Sequence, residues 1–155
     1  PILRREIEPF DFSEPPIDPS QFAIDLAGAC LKYNGSGISA NQLGLPYRAF
    51  AIRANPMLVC FNPRIVAWSE DTSTMEEGCL SLPGLIVKVK RANSIRVRYS
   101  EPSGEIKTRD FEGMTARIFQ HELDHLNGII MLERASRFHR DKAMKKLKKI
   151  NRAKK

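Results

Sequence analysis

Two histidines one helical turn apart are the residues of this sequence with the clearest capacity for chemistry. They lie in the stretch QHELDH at residues 120–125. Side chains four residues apart on a helix project from nearly the same face, so His121 and His125 can offer nitrogens to one divalent ion. Glu122 follows the first histidine and lies within reach of a water molecule beside such an ion. The stretch therefore predicts a metal site with its own base.

The flanking residues predict that this stretch is helical. Asn127 and Gly128 follow it as a C-terminal stop signal. Apolar residues recur at helical spacing before and within it, namely Met114, Ile118, Phe119, Leu123 and Leu126. An amphipathic helix with exposed histidines is the alternative interpretation, and a third ligand has to decide between the two.

The residues after the helix do not supply that third ligand. Catalytic zinc-type sites take three protein ligands and leave one position open for water. A metzincin protease would carry a third histidine six residues after the second, where this chain has Met131. A thermolysin-like protease would use a glutamate from a later helix as its third ligand. The last glutamate of this chain, Glu133, lies too close in sequence to the second histidine for that role. The third ligand is therefore expected upstream.

Cys79 is the best upstream candidate. It lies in the stretch EEGCLSLPG at residues 76–84, where glycine and proline can bend the backbone around a bound group. Cys30 and Cys60 lie in apolar surroundings and are predicted to be buried small hydrophobic residues. A buried structural role is the alternative for Cys79, but two histidines without a third ligand favour metal ligation.

A third segment, GSGISANQLG at residues 35–44, is rich in small residues. Such a segment lets the backbone pass close to a ligand, although many segments of this kind are plain loops. It is not a P-loop, because the Gly-Lys-Ser/Thr ending is missing.

Together the three segments resemble the signature blocks of the peptide deformylases, in the same order. The family's Gly-x-Gly-apolar-Ala-Ala-x-Gln block matches residues 35–42, and its Glu-Gly-Cys-Leu-Ser block matches residues 77–81. Its Gln-His-Glu-x-Asp-His block matches residues 120–125, and the resemblance extends from about Ser20 to Leu132. Ser39 departs from the pattern at the first of the paired alanines, which leaves the predicted ligands and base unchanged.

The resemblance implies a metal-dependent hydrolase that removes the N-formyl group from the initiator methionine of nascent polypeptides and releases formate. It implies Cys79, His121 and His125 as the ligands of one divalent ion. Zinc, iron(II), nickel and cobalt all suit this donor set. The family implies Fe(II) in the cell, with Zn, Ni or Co in a purified sample.

The resemblance also implies roles for residues around the ion. Glu122 would take a proton from water and deliver it to the leaving amine. The backbone N–H of Leu80 and the side-chain amide of Gln42 would stabilise charge on the formyl oxygen. Gly37 would hold the backbone of an N-formylmethionyl peptide.

Met114 and Ile118 precede His121 by two turns and one turn and could line an apolar pocket for the methionine side chain, or belong to an ordinary core. Asp124 is predicted to be structural or to support a ligand.

The composition predicts one compact core. A chain of 155 residues with 42% hydrophobic residues can bury one core but hardly two. No apolar run is long enough to span a membrane. The acidic, proline-containing segment from Pro1 to Pro19 lacks the hydrophobic region of a secretory signal peptide, so a cytoplasmic location is expected. Three cysteines without paired spacing argue against a disulfide framework.

The predicted fold class is α+β, with short antiparallel β-sheets packed around the metal-binding helix. An N-terminal helix is expected to begin at Asp18-Pro19, where aspartate can cap and proline fits the first turn, and to end at Asn34-Gly35. Strands are predicted at residues 48–53, 57–61, 65–68, 85–89, 94–99 and 106–111, with a turn at residues 102–104.

From Arg134 onward, lysine and arginine dominate, and this segment supplies most of the net charge of +7. We predict a catalytic domain at residues 1–133 and a basic, partly amphipathic helical tail at residues 134–155, with an apolar stripe of Leu132, Ala135, Ala143, Leu147 and Ile150. The tail is either a solubilising end or a surface for ribosomal RNA.

Two other function classes are open at this stage. One is a metal-dependent amidase or peptidase that acts on another small N-terminal substrate, which assays with unformylated peptides would reveal. The other is a nucleic-acid-binding protein in which the Cys-His-His metal is structural. A fourth protein ligand that closes the site would favour that second class.

Overall fold

The computed structural model describes residues 2–153, so Pro1 and the last two lysines of the predicted tail lie outside the described residues. The helices are α1 (Pro19–Lys32), α2 (Gly113–Leu126), α3 (Met131–Arg134) and α4 (Arg137–Ala153). The strands are β1 (Gly37–Ser39), β2 (Ala49–Ile52), β3 (Leu58–Trp68), β4 (Thr72–Cys79), β5 (Leu82–Ala92), β6 (Ser94–Ser100) and β7 (Ile106–Glu112). Short 3-10 turns lie at Ile2–Arg4 and Ala40–Leu43.

The strands form two antiparallel sheets. The larger has five strands in the order β1-β2-β3-β6-β7, and the smaller is the β4–β5 hairpin. The predicted α+β class, with helices at both ends of the chain and a central helix between the sheets, is confirmed. In the described part of the chain, no helix has the length and apolar character needed to cross a membrane.

Strand β2 is buried on both faces and separates two apolar clusters. Phe50 and Ile52 pack in the cluster beneath α2, whereas Ala49 and Ala51 pack in the cluster that contains Leu26 of α1. Alternate residues of a strand point to opposite faces, so one short strand holds α1 and α2 on the two sides of the sheet. Cys30 and Cys60 are fully buried in these clusters, as predicted.

The predicted start of α1 and the predicted end of α2 are confirmed, whereas α1 ends at Lys32, two residues before the predicted stop at Asn34-Gly35. Asp18 caps α1, accepting a hydrogen bond from the backbone N–H of Ser20 at 3.0 Å, with Pro19 in the first turn. Helix α2 ends at Leu126, and Gly128 has a φ of 76°, the left-handed conformation that favours glycine after a helix.

The strand predictions differ from the structure in three respects, the first being that the short strand β1 at Gly37–Ser39 was not predicted. The segments at 57–61 and 65–68 form one strand, β3, because register shifts between Phe61 and Arg64 accommodate Asn62-Pro63 without ending the pairing. Strand β4 was not predicted, since its polar sequence at residues 72–79 carries little apolar alternation. Its pairing with β5 stabilises the strand.

Helices α3 and α4 cover one face of β5. Leu85, Val87 and Val89 form a small buried cluster with Met131 and Ala143, against which Leu132, Ala135, Cys79, Leu82 and Leu147 also pack. The basic C-terminal helix therefore contacts the β4–β5 hairpin, which has Cys79 at its tip. The boundary at residue 133 between a catalytic domain and a tail stays a prediction.

Candidate metal centre and active site

Cys79 is the last residue of β4, at the tip of the β4–β5 hairpin. It pairs with Leu82, and Leu80 and Ser81 form the turn between them. The register shifts just before Cys79, where β5 contains Gly84 with a φ of 81°. The bend expected from glycine and proline thus lies in β5, and it orients the hairpin tip toward α2.

The three predicted ligands meet at this point. The Sγ atom of Cys79 and one nitrogen from each of His121 and His125 lie within 4.8 Å of one another. Cys79 Sγ lies 3.3 Å from His125 Nε2, which is 3.1 Å from His121 Nε2. A thiolate and two imidazoles of this kind could hold a transition-metal ion or zinc. Asp124 does not belong to the group, in agreement with its predicted structural role.

Glu77 orients the first histidine, and the sequence interpretation missed it. Its Oε1 atom lies 2.8 Å from Nδ1 of His121, which leaves Nε2 of the same ring, 3.1 Å from His125 Nε2, on the side of the candidate metal group. Outer carboxylates of this type set the tautomer and ring orientation of metal-ligating histidines. The signal was present, because Glu77 and Cys79 are two residues apart and share one face of a strand. Without β4, that relation could not be recognised.

The ionisable side chains of the candidate metal group, and Glu77 beside it, shift one another's pKa values. Burial alone would raise the pKa of Cys79, but hydrogen bonds with His121 and His125 lower it to about 5. Burial would lower the pKa of His121, yet Cys79 and Glu77 raise it to about 10. Burial opposes ionisation of Glu77, and His121 and Arg91 overcome it and lower the pKa to about 2. The site therefore favours a thiolate, the form of cysteine that binds metals.

Glu122 lies beside the group and differs from Glu77 in its surroundings. It is 2% exposed, and its Oε2 atom has no hydrogen-bond partner among residues 2–153. Its Oε1 atom is 3.8 Å from His121 Nε2. Burial raises the pKa of Glu122, although the two histidines act in the opposite direction. A buried carboxylate with an unpaired oxygen next to a Cys-His-His group suits a proton acceptor, and the donor set fits a divalent ion.

Gln42 reaches the same place from the 3-10 turn after β1. Its Oε1 atom accepts hydrogen bonds from the backbone N–H and the hydroxyl of Ser39, at 2.9 and 3.1 Å. Its Nε2 atom lies 3.3 Å from Cys79 Sγ and 3.1 Å from Ser81 Oγ. Ser39, where the sequence departs from the deformylase pattern, therefore contacts this predicted oxyanion donor directly.

Two further polar residues hold the site together and were not singled out from the sequence. Asn41 is buried and donates from Nδ2 to the carbonyl oxygen of His125 at 2.6 Å. Gln120 bonds the backbone of Ala92 through both ends of its amide, at 3.2 and 2.9 Å. Gln120 thus links α2 to the end of β5, in the way that a neighbouring strand would.

A cavity of about 440 Å³ opens onto the group. The cavity is lined by every residue that was predicted to contact substrate or to stabilise the oxyanion, namely Gly37, Gln42, Leu80, Met114 and Ile118. Cys79, His121 and Glu122 also line it. Met114 is 54% exposed, so it belongs to the rim and not to a core. A larger depression of about 680 Å³ near Trp68 and Arg96 contains none of the three candidate ligands.

Gly37 leaves no room for a side chain. A Cβ atom there would lie 2.9 Å from Ile118 Cγ2, 3.1 Å from the carbonyl oxygen of Ala51 and 3.1 Å from Glu122 Cγ. We expect Gly37→Ala to displace Glu122 or β1, with a loss of stability of about 1–3 kcal/mol and a lower kcat/KM on the substrate tested below. Thermal unfolding and steady-state kinetics measure the two effects.

Gly28 is the matched control for this substitution. It lies on the exposed side of α1, where a Cβ would meet nothing within 4 Å. Gly28→Ala should therefore be neutral or stabilising, by up to about 1 kcal/mol, since alanine favours helix. Equal behaviour of the two variants would contradict the close packing described for Gly37.

Comparison with known proteins agrees with this geometry. The family model for polypeptide deformylase matches residues 1–141. The chain belongs to the polypeptide deformylase family. It is 35% identical to the peptide deformylase of Mesorhizobium japonicum over 156 aligned positions, which span 97% of this chain and 88% of that protein. It is 40% identical to the peptide deformylase of Thermotoga maritima over 121 positions, 77% of this chain and 74% of that protein.

Solved structures of the family share the fold. Peptide deformylase from Plasmodium falciparum superposes with a TM-score of 0.84 at 29% identity, with 99% of this chain and 92% of that one covered. Peptide deformylase from Synechococcus elongatus in complex with actinonin gives 0.85 at 29% identity, with 94% and 80% covered. The two sheets and the helix between them are therefore the family architecture.

Proposed function

We propose that this deformylase-family chain hydrolyses the N-formyl group from the initiator methionine of nascent polypeptides and releases formate. One observation carries the proposal: Cys79, His121 and His125 meet within 4.8 Å beside a buried glutamate, at the wall of a cavity of about 440 Å³. Hydrolysis of a small amide needs such a Lewis-acid site, a base and space for the acyl group.

Cys79, His121 and His125 are proposed to hold one divalent ion. When bound, the ion would polarise the formyl carbonyl and lower the pKa of a water molecule. Sulfur and imidazole donors suit iron(II), zinc, nickel and cobalt alike. As the family resemblance implies, we propose Fe(II) in the cell and Zn, Ni or Co in purified protein.

Glu122 is proposed to move the proton. Its unpaired Oε2 atom takes a proton from the attacking water, whose oxygen bonds to the formyl carbon. When the C–N bond breaks, the same proton passes to the leaving amine, so formate and a free α-amino group result. The raised pKa of Glu122 brings its basicity closer to that needed at neutral pH.

Gln42 and the backbone N–H of Leu80 are proposed to stabilise negative charge on the formyl oxygen. The Gln42 amide has its oxygen held by Ser39, so its NH2 group faces the site. Both N–H bonds already have acceptors, Cys79 Sγ and Ser81 Oγ. The amide must therefore release one of them as charge develops on the substrate.

Gln42→Leu should lower kcat about a hundredfold with little change in KM, because one oxyanion donor contributes about 3 kcal/mol to the transition state. Steady-state kinetics at saturating substrate and metal analysis of the same sample provide the measurement. A loss confined to KM would show that Gln42 binds the ground state instead.

The cavity is proposed to select the substrate. Gly37, on the edge strand β1, would hold the peptide backbone in an extended form. Met114 and Ile118 offer apolar surface for the methionine side chain. The confined space beside Cys79 favours a formyl group over an acetyl group, although one methyl is worth only about 1–3 kcal/mol.

A formate-release assay tests the function. Protein loaded anaerobically with Fe(II), and separately with Ni(II), Co(II) or Zn(II), is given formyl-Met-Ala-Ser, acetyl-Met-Ala-Ser or unformylated Met-Ala-Ser. We expect formate only from the first peptide, with loss of activity on addition of a chelator. Cleavage of the unformylated peptide would instead identify a peptidase, and absence of formate with every ion would overturn the proposal.

We also propose that the basic helix α4 binds ribosomal RNA and brings the enzyme to nascent chains. The family model ends at residue 141, so most of α4 lies beyond it. Lys145 and Lys149 are exposed and lie one turn apart, while Ala143 of the same helix is buried against the hairpin. A row of exposed cations on an anchored helix suits phosphate contacts.

Neutralising two of these lysines tests that role. The double variant Lys145→Gln, Lys149→Gln should bind ribosomes more weakly. The slope of the logarithm of the binding constant against the logarithm of the salt concentration should become shallower by up to about two. Hydrolysis of formyl-Met-Ala-Ser should be unchanged. The matched control is Lys88→Gln with Lys90→Gln, two exposed lysines of β5. Binding that is equally strong and salt-insensitive in both variants would exclude this role of α4. Sedimentation with ribosomes at several salt concentrations gives the data.

The proposed location is the cytoplasm. None of the three cysteines, Cys30, Cys60 and Cys79, forms a disulfide bond. A thiolate ligand persists where thiols are kept reduced, which is typical of the cytosol.

A further inference from the structure

A line of alternating charges runs from α3 to the first histidine of the metal centre. Arg134, at the end of α3, donates from Nε to Oδ2 of Asp124 at 3.1 Å and from Nη2 to Oδ1 at 2.9 Å. Arg91 donates from Nη1 to the same Oδ2 at 2.7 Å. Arg91 also donates to both oxygens of Glu77, at 2.8 and 3.0 Å. Glu77 contacts Nδ1 of His121 at 2.8 Å, so the line ends on a candidate ligand.

The inner part of this line is buried, which makes its charge balance important. The side chains of Arg91, Glu77 and Asp124 are 4%, 6% and 9% exposed, whereas that of Arg134 is 48% exposed. Among residues 2–153, Arg134 supplies two of the three charged hydrogen bonds that reach Asp124. Without them, a buried carboxylate would depend on Arg91 alone, and Arg91 is shared with Glu77.

We infer that Arg134 is a positioning residue for the metal centre, acting through Asp124, Arg91 and Glu77 on His121. The inference rests on the proposed function, in which His121 is a metal ligand. Loss of Arg134 leaves Asp124 to draw the Arg91 guanidinium away from Glu77. Arg117 still donates to Oε2 of Glu77, but Oε1 loses its contact with Arg91, so Glu77 holds Nδ1 of His121 less firmly and the imidazole becomes a weaker ligand.

The expected effect is moderate. Removing the direct partner of a metal-ligating histidine commonly costs about 10–100-fold in metal affinity. Arg134 acts from further away and is half exposed, so water replaces part of its interaction with Asp124. We therefore expect Arg134→Met to weaken Co²⁺ binding about three- to tenfold. Arg134→Lys should have an affinity between those of the wild type and Arg134→Met, because it keeps the charge but loses the bidentate hydrogen bonding to Asp124.

Cobalt titration against a competing chelator tests the inference without catalytic turnover. The thiolate-to-cobalt absorption reports occupancy of the site in the wild type, Arg134→Met, Asp124→Asn and the double variant. Arg140→Met, on the exposed face of α4, removes the same charge and should leave affinity unchanged. Because Arg134 acts through Asp124, Arg134→Met should have no further effect on affinity in the Asp124→Asn background. Thermal unfolding of each metal-free variant separates a general loss of stability from a loss of affinity.

Two outcomes would overturn the inference. One is a wild-type Co²⁺ affinity in Arg134→Met, and the other is an equal loss on adding Arg134→Met in both backgrounds. Absence of the thiolate-to-cobalt absorption in the wild type would instead overturn the proposed metal site. Tight cobalt binding without formate release from formyl-Met-Ala-Ser would overturn the proposed reaction and leave the role of Arg134 standing.

Discussion

Glu122→Gln should retain a full complement of metal and lose kcat about a thousandfold. Glutamine preserves the volume of a side chain that is only 2% exposed, so the fold and the three candidate ligands keep their places. It cannot accept the proton of the attacking water or pass it to the leaving amine. General acid–base groups contribute about 10²–10⁴-fold to rate, and this site has one group for both transfers.

Measurement of this variant needs the metal content and the rate from the same sample. Elemental analysis gives the number of ions per chain, and formate release from formyl-Met-Ala-Ser gives kcat. Glu76→Gln is the matched control, since Glu76 lines the same cavity but is exposed and loses the same charge. Near-normal turnover in Glu122→Gln would remove its assignment as the base.

Cys79→Ala should abolish metal retention, and activity with it. The substitution leaves His121 and His125 as two neutral donors, and two imidazoles without a thiolate neither complete a three-ligand site nor balance the charge of a divalent ion. Purified wild-type protein is expected to hold about one ion per chain after chelator washing, as three-ligand sites commonly do, and the variant close to none.

The other two cysteines provide controls for this result. Cys30 and Cys60 are fully buried in the two apolar clusters and contribute no atom to the candidate metal group. Cys30→Ala and Cys60→Ala should lose some stability, about 1 kcal/mol or more for a small buried side chain, while keeping metal. Elemental analysis and cobalt absorption compare all three variants. Retention of metal by Cys79→Ala would show that the ion has other ligands.

Local patterns in the sequence determined the features that depend on neighbours along the chain. The spacing of His121 and His125 placed both on one face of a helix, since helical periodicity is a local property. Asp18 and Gly128 marked helix ends because capping involves residues only a few positions apart. The chemical types of the three candidate ligands, and of Glu122 beside them, were likewise evident from the amino-acid sequence.

Contacts between distant segments were decided only by the tertiary structure. Strand β4 exists because β5 pairs with it, and only that pairing places Glu77 on the same face as Cys79 and within 2.8 Å of His121. The two acceptors of the Gln42 amide and the connection from Arg91 to Asp124 also join elements far apart in sequence. Periodicity carries no information on which elements pack together, because packing depends on the burial of whole faces. The side chains that could bind a metal ion or transfer a proton were therefore identifiable from the sequence. The hydrogen bonds that orient these side chains depend on the packing of α2 against the sheets and could be identified only from the structure.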